Sequence, residues 1–335
     1  MTRVALLSSA HMHVTSYLRA LNALAEVEVV GIYDDDEARG RSFASAHQVR
    51  WVDRLSTLLA EADATVIGSE NARHRFYAEQ SADAGLPMLC EKPLATTLAD
   101  ALAMIAAARQ HDVPLFMALP VRFVPTLAQM VAAVHRGAVG RVLAMVGTNH
   151  GNMPSGWFVE QPLSGGGAIM DHTPHVADIM RWITNSEVVE VFAEMSSRVR
   201  EAGIDDAGIV QMRFANGTFA SLDPSWSRLG SFPTWGDVTL EVVGTQGVLD
   251  FDAFRQHLDL YAEGTPSYRH LGYGEDMDAQ LIGAFVDSVS RKLAHPTLAQ
   301  GSDGLKALEI ALAAYQSANS HRPVKVDGFL ASAVD

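Results

Sequence analysis

The sequence is poor in the groups that define several protein classes. One cysteine, Cys90, among 335 residues excludes a disulfide framework and any zinc site built from several thiolates. A reducing compartment is then the simplest home. Basic residues are scarce: 25 Lys and Arg against 39 Asp and Glu leave a formal net charge of −14. That is the wrong sign for a nucleic-acid or anionic-membrane surface. No stretch reaches the roughly 18 uninterrupted apolar residues of a membrane span. The opening apolar run Val4–Leu7 is broken by polar residues at once, which is too short for a secretion signal. The expectation is a soluble cytoplasmic protein with neither nucleic-acid nor membrane partners.

What is present is the material of a folded enzyme. Hydrophobic residues at 48% and charged residues at 19% exclude disorder. At roughly 100–200 residues per domain, the length provides for about two domains. Over the first 120 residues, short apolar runs at Val4–Leu7, Val27–Tyr33, Ala64–Ile67, Pro87–Cys90 and Pro114–Met117 read as strands buried on both faces. Helical segments lie between them at Val14–Ala25, Asp36–His47, Ala72–Ala84 and Leu98–His111. This alternation specifies an α/β doubly wound parallel sheet, whose ligands bind beyond the carboxyl ends of the strands. After Arg122 the pattern becomes α+β. Strand-like runs follow one another from Glu187 to Tyr261, and Asn216-Gly217 marks a hairpin. Helices are expected at Met277–Lys292 and Ser302–Ala318.

A dinucleotide fold ordinarily carries G-x-G-x-x-G after its first strand and an acid about 20 residues on. Here the three glycine positions are Ser8, Ala10 and His13, in the run Ser8-Ser9-Ala10-His11-Met12-His13. Small Ser8 and Ala10 hinder a pyrophosphate without blocking it, and the helix N-terminus still offers N–H groups. Asp34 closes the second strand, where it would accept from both ribose hydroxyls. Asp35 and Asp36 follow, with no Lys or Arg before Arg39. Three adjacent carboxylates repel a 2′-phosphate, so NAD is expected rather than NADP.

The run Leu89-Cys90-Glu91-Lys92-Pro93-Leu94-Ala95 brings the chain to a resemblance. It is similar to the glucose–fructose oxidoreductase/inositol dehydrogenase/MocA (Gfo/Idh/MocA) family of nicotinamide-dependent oxidoreductases. Ser69-Glu70-Asn71 with His74 resembles the family's loop after the third strand. Arg122-Phe123-x-Pro125 resembles its entry into the second domain, and Gly165-Gly166-Gly167-x-x-x-Asp171-x-x-x-His175-x-x-Asp178 its catalytic helix. Asn216-Gly217 and Gly244-Thr245-Gln246-Gly247 also fit, so the likeness runs from Val4 to about Val326. It implies a Rossmann domain over 1–121 and an open, largely antiparallel sheet domain over 122–335 that mediates a homodimer or homotetramer. The helix at about 302–318 is expected to pack back on the first domain. The resemblance implies catalytic roles for Lys92, Asp171 and His175. It places Asn71, His74 and Glu91 near the nicotinamide and its ribose. The cofactor set is completed by Ser8, Ala10, His11, Met12, His13, Asp34, Asp35, Ser69, Lys92 and Arg122. The missing glycines depart from the family pattern.

Hydride transfer from a secondary alcohol leaves a carbonyl and a proton, and His175 is the base for that proton. Asp171 shares a helical face with His175 if the helix starts near Gly167, and would then fix the imidazole. If Thr173 caps the helix and Pro174 opens it, Asp171 lies in the preceding turn. Lys92 would steady the developing alkoxide. Asn149, His150, Trp157 and His172 are expected to form a polar pocket for a sugar, polyol or inositol-like substrate. His172 and His175 beside Asp171 supply part of a two-His, one-carboxylate set, but no spacing completes it, and no metal is assigned. The Asp205-Asp206 pair is expected in an exposed loop. The rival readings are a cofactor-poor sugar-binding or sensing protein and a metal-assisted lyase using the histidines.

Overall fold

The computed structural model describes residues 1–199, 203–261, 263, 268–272 and 276–326. Its first part runs β1 (Thr2–Leu7), α1 (Val14–Asn22), β2 (Val27–Tyr33), α2 (Glu37–His47), α3 (Leu55–Glu61), β3 (Ala64–Ile67), α4 (His74–Asp83), β4 (Met88–Cys90), α5 (Leu98–Gln110) and β5 (Leu115–Met117). Only α3 falls outside the expected elements: Leu55, Leu58 and Leu59 have helical spacing, but its 7 residues make only about two turns, too short a stretch to stand out. These strands pair in parallel in the order β5-β4-β3-β1-β2. Every residue of β3 and β4 is buried, so the continuous apolar runs are strands covered on both faces. The strand order reverses between β1 and β3. The loops that follow them, beginning at Ser8 and Gly68, therefore part and leave a crevice at the carboxyl ends.

The second part runs α6 (Pro125–His135), β6 (Val142–Thr148), α7 (Gln161–Ser164), α8 (Ala168–Thr184), β7 (Val188–Ser196), β8 (Ala207–Phe214), β9 (Phe219–Asp223), β10 (Thr239–Gly244), β11 (Val248–Asp252), β12 (His257–Tyr261) and β13 (Tyr268–Gly272). The chain ends in α9 (Met277–Arg291), β14 (Ala299–Gln300), α10 (Gly301–Ser320) and β15 (Val324–Lys325). Seven strands form a mixed sheet, β11-β10-β6-β9-β8-β7-β15, in which only β6 and β9 pair in parallel. The Asn216-Gly217 hairpin joins β8 to β9, and Gly217 takes the positive φ of +89° that such a turn requires. Val176, Ile179, Met180 and Ile183 of α8 recur at helical spacing and pack on Val191, Val210, Leu222 and Leu240 of this sheet.

The C-terminal segment returns to the first domain. Leu281, Ile282 and Phe285 of α9 pack with Tyr17, Leu18 and Leu21 of α1. β14 adds an antiparallel edge to β5. α10 faces both cores, with Leu305, Leu308 and Ala311 in the first and Ile310, Ala313 and Ala314 in the second. A boundary at 121/122 thus assigns α9 and β14 to the second domain by sequence, while their side chains and pairing join the first. Residues 327–335 of the expected second domain lie outside the described residues. Among the described residues, no helix is long and apolar enough to cross a membrane.

Candidate active site

The loop after β1 has no glycine, yet at its first residue it turns as sharply as a loop with one. Ser8, at the first glycine position, has φ +67°, in the left-handed region where glycine is unstrained. Its side chain is inside: Ser8 Oγ donates to Asp34 Oδ2 at 3.2 Å and accepts from Ala10 N at 3.2 Å. Ser9 N and Ser9 Oγ donate to the same carboxylate oxygen at 2.8 and 2.9 Å. Asp34 closes β2 as expected. Burial works against its charged form, but Arg39 and these N–H donors prevail and hold its pKa below the usual carboxylate range.

Arg39 is the residue the sequence reading undervalued. It clamps Asp34 from two nitrogens at 2.6 and 2.9 Å and reaches Glu70 at 2.5 Å and Ser8 Oγ at 3.2 Å. It is one helical turn along from Asp35, which itself receives Tyr77 Oη at 3.0 Å and pairs with Arg73. The acid cluster at the tip of β2 is therefore cross-linked by arginine rather than bare.

The loop after β3 braces the site from behind. Ser69 is fully buried, and Asn71 Nδ2 donates to Ser164 O at 2.8 Å across the domain junction. His74 Nδ1 bonds Pro93 O at 2.9 Å, which fixes the turn following Lys92. Burial holds His74 below the usual histidine pKa.

Glu91 and Lys92 leave β4 at the floor of the crevice, both almost wholly buried. Glu91 Oε1 accepts from Tyr17 Oη at 2.5 Å and lies 3.0 Å from His13 Nδ1 and 3.5 Å from His11 Nδ1. Tyr17 is one turn after His13 in α1, a spacing readable in sequence but not singled out there. Lys92 Nζ pairs with Asp171 Oδ1 and also donates to Asp171 O at 3.2 Å.

The helix carrying Asp171 starts immediately after Gly167, so the first of the two expected geometries holds. Pro174 lies inside α8. A Cβ on Gly167 would come within 1.9 Å of Asp205 O, which is why the segment entering the helix has no side chain there. The expectation for Asp205 and Asp206 is overturned, since they are 8% and 0% exposed. Asp205 accepts from Gly167 N at 2.8 Å and Ile169 N at 2.9 Å, satisfying backbone donors at the start of α8. Tyr315 of α10 donates to it at 2.8 Å.

Asp171 does not hold His175. Its Oδ1 is taken by Lys92 and its Oδ2 accepts from Trp226 Nε1 at 3.1 Å, with His172 Nε2 at 3.3 Å. Burial opposes the charged carboxylate, and Lys92, the nearest cation, overrides it and depresses the Asp171 pKa strongly. His175 Nδ1 is buried without a hydrogen-bond partner. Burial, and then the charge of Lys92, push the His175 pKa well below the usual value, so the imidazole is neutral at physiological pH.

The second domain closes the cleft with residues of uneven fate. Asn149, His172 and His175 line it, together with Phe158, Trp235 and Asp237. Sequence reasoning missed Trp235 and Asp237, which lie in a loop without a motif. His150 is instead locked between Asp223 at 3.1 Å and Asp237 at 3.0 Å. The hydrogen bonds from those two carboxylates push its pKa up to about 9, so it stays charged and clamps the loop rather than reading substrate. Trp157 Nε1 donates to Ala10 O at 3.0 Å, which ties the second domain to the cofactor loop. His172 Nδ1 bonds Pro224 O at 2.9 Å. Arg122, expected among cofactor contacts, spends its guanidinium on Asp178 through two bonds of 2.6 Å, with Asp303 at 3.4 Å.

A parallel sheet with a crevice at its switch point, an acid at the tip of β2 and a buried lysine–aspartate pair beside a neutral histidine define a nicotinamide-dependent oxidoreductase. Residues 8–119 match the oxidoreductase family with NAD-binding Rossmann fold, and residues 127–250 match the GFO/IDH/MocA C-terminal domain. The chain belongs to the GFO/IDH/MocA family, and NAD is its cofactor. It is 31% identical over 229 residues to the 1,5-anhydro-D-fructose reductase of Ensifer adhaerens, covering 66% of this chain and 67% of that protein. It is 29% identical over 279 residues to the myo-inositol 2-dehydrogenase of Thermotoga maritima, covering 79% and 80%. The crystal structure of a probable dehydrogenase from Thermotoga maritima is similar with a TM-score of 0.83 at 25% identity, covering 98% of this chain and 99% of that one. These matches favour an oxidoreductase over the sensing and lyase alternatives.

Proposed function

We propose that this chain oxidises a secondary hydroxyl of a sugar, polyol or inositol-like ring, or reduces the corresponding ketone, with Lys92, Asp171 and His175 as its catalytic residues. The observation that carries the reading is the buried Lys92–Asp171 pair facing a neutral His175 in the cleft between the domains. A sugar or polyol suits the cleft, because Asn149, whose Oδ1 has no hydrogen-bond partner, lines it together with the aromatic side chains of Trp235 and Phe158. In this division of labour 1–121 holds the cofactor, and the domain from 122 onward holds the substrate.

NAD suits this crevice: the left-handed Ser8 keeps the loop turned, His11, Met12 and His13 line the cleft where α1 begins, and Asp34 stands at the tip of β2 with its carboxylate covered by Ser8, Ser9 and Arg39. When bound, NAD+ supplies the acceptor for the hydride that leaves the carbinol carbon. The protein's part is the proton. An ammonium has three N–H donors, and Asp171 takes two of those of Lys92. The third remains for the substrate oxygen, where it stabilises developing negative charge. His175, neutral, accepts the hydroxyl proton, and Asp171 acts by holding Lys92 in place. Arg39 clamps both oxygens of the buried Asp34, so a ribose hydroxyl reaches the acid only as Arg39 gives way. In a panel of inositols, aldoses and sugar alcohols, at least one member should reduce NAD+, read from the near-ultraviolet absorbance of NADH. A panel without turnover, in either direction, contradicts the substrate class.

The free, buried Cys90 and the absence of any disulfide suit the cytoplasm. The face of the seven-stranded sheet away from the helices exposes Phe219 at 62%, Val146 at 51% and Ile209 at 42%. Three large apolar side chains on one open face suit a homo-oligomer contact. Sedimentation velocity should give a dimer or tetramer that Phe219→Lys converts toward monomer. A wild-type monomer at all concentrations would sink this assignment.

A further inference from the structure

His11, His13 and Glu91 present one ligand atom each within 4.8 Å of one another. They come from two elements: the turn entering α1 supplies a His-x-His pair, and the end of β4 supplies the carboxylate. A tetrahedral ion with bonds of about 2.0–2.2 Å sets neighbouring ligand atoms roughly 3.3–3.6 Å apart. The two separations from Glu91 Oε1, 3.5 Å to His11 Nδ1 and 3.0 Å to His13 Nδ1, fall close to that edge length. In the triad the sequence offered, His172 and His175 with Asp171, the carboxylate is paired with the Lys92 ammonium, a fixed cation that an incoming metal ion would have to displace.

We propose that His11, His13 and Glu91 bind a divalent transition-metal ion of the Zn2+ type at the floor of the cleft. Without an ion, hydrogen bonds join the cluster, from His13 N to His11 Nδ1 and from Tyr17 Oη to Glu91 Oε1 with His13 Nδ1 beside it, so an ion enters by displacing protons at these atoms. His11 is 2% exposed and its Nε2 has no hydrogen-bond partner, so the ring's polar contacts are all made at Nδ1, the nitrogen that faces Glu91. Both rings turn an Nδ1 toward Glu91. His11 and His13 also line the cleft with Lys92, so an ion there has an open side toward the pocket. Nitrogen and carboxylate donors suit Zn2+, Co2+, Ni2+ or Fe2+, whereas Mg2+ and Ca2+ favour oxygen alone. The ion would pin the glycine-free loop to β4, a second anchor where the usual motif is missing.

The test uses the whole chain stripped with EDTA, titrated with Zn2+ by calorimetry and with Co2+ by visible absorption. One ion per chain is expected, with Co2+ bands of a low-coordinate nitrogen–oxygen site. His11→Ala, His13→Ala and Glu91→Gln should each weaken binding by at least about tenfold. Sub-stoichiometric binding, or equal affinity in all three variants, overturns the inference. Should a variant fail to fold, wild-type imidazole resonances decide. Co2+-induced shifts at His11 and His13 support the site, and shifts confined to other histidines overturn it. NAD binding by the stripped protein is measured alongside: if it persists without metal uptake, only the metal inference fails.

Discussion

Lys92→Ala should lower kcat by about 10³-fold at saturating NAD and substrate, roughly 4 kcal/mol of transition-state stabilisation. The expectation follows from what the side chain does twice. Its ammonium supports the substrate oxygen as charge develops, and it is the main neutraliser of Asp171, which is 8% exposed. Removing it also leaves Asp171 with only Trp226 and His172, so the variant will melt somewhat lower. Lys92→Arg separates the two effects. It keeps a cation beside Asp171 and hence most of the stability, but its planar fork cannot reproduce the ammonium geometry. Both variants should be slow, and only the alanine variant should be unstable. A kcat within tenfold of wild type in Lys92→Ala would remove Lys92 from the mechanism.

Arg122→Ala should cost about 3–5 kcal/mol of stability, the penalty for leaving a buried carboxylate unpaired. Asp178 is fully buried, and Arg122 satisfies both its oxygens. Burial already pushes the Asp178 carboxyl up in pKa against the pull of Arg122. Arg181, 3.7 Å away, recovers part of the loss, which places the effect toward the lower end. Scanning calorimetry should show a melting temperature lower by roughly 5 °C or more. The double variant Arg122→Met/Asp178→Leu should recover much of it, since a missing pair is cheaper than a broken one. NAD affinity, measured well below the melting temperature, should hardly change. An unchanged melting temperature with lost NAD affinity would restore the cofactor role that the resemblance implied.

Much of this molecule is legible in one dimension. Strands buried on both faces announce themselves as apolar runs, and β2 and β3 occupy the expected residues. The Glu91–Lys92 and Asp171–His175 segments meet in the cleft, as their likeness to the family implies. What escaped the sequence is pairing. Nothing in the spacing shows that Asp171 spends both oxygens on Lys92 and Trp226, leaving His175 to the cleft. Arg39 is five residues from Asp34 in sequence, yet its guanidinium wraps back onto it, because α2 turns immediately after the acid. His150 looked like a pocket donor, and two carboxylates more than 70 residues downstream decide otherwise. Asp205 looked exposed because its partners are backbone N–H groups and Tyr315, 110 residues away, which no local sequence displays.

The measurement that bears most directly on the central claim is a calorimetric titration of the purified chain with NAD and with NADP, after any retained cofactor has been removed. The account predicts NAD binding in the micromolar range or tighter, with NADP weaker by about tenfold or more, which is about 1.4 kcal/mol of discrimination at Asp34. Binding of neither nucleotide would mean that a loop reading Ser8-Ser9-Ala10-His11-Met12-His13 no longer cradles a pyrophosphate, and the oxidoreductase mechanism built on Lys92 and His175 would fall with it.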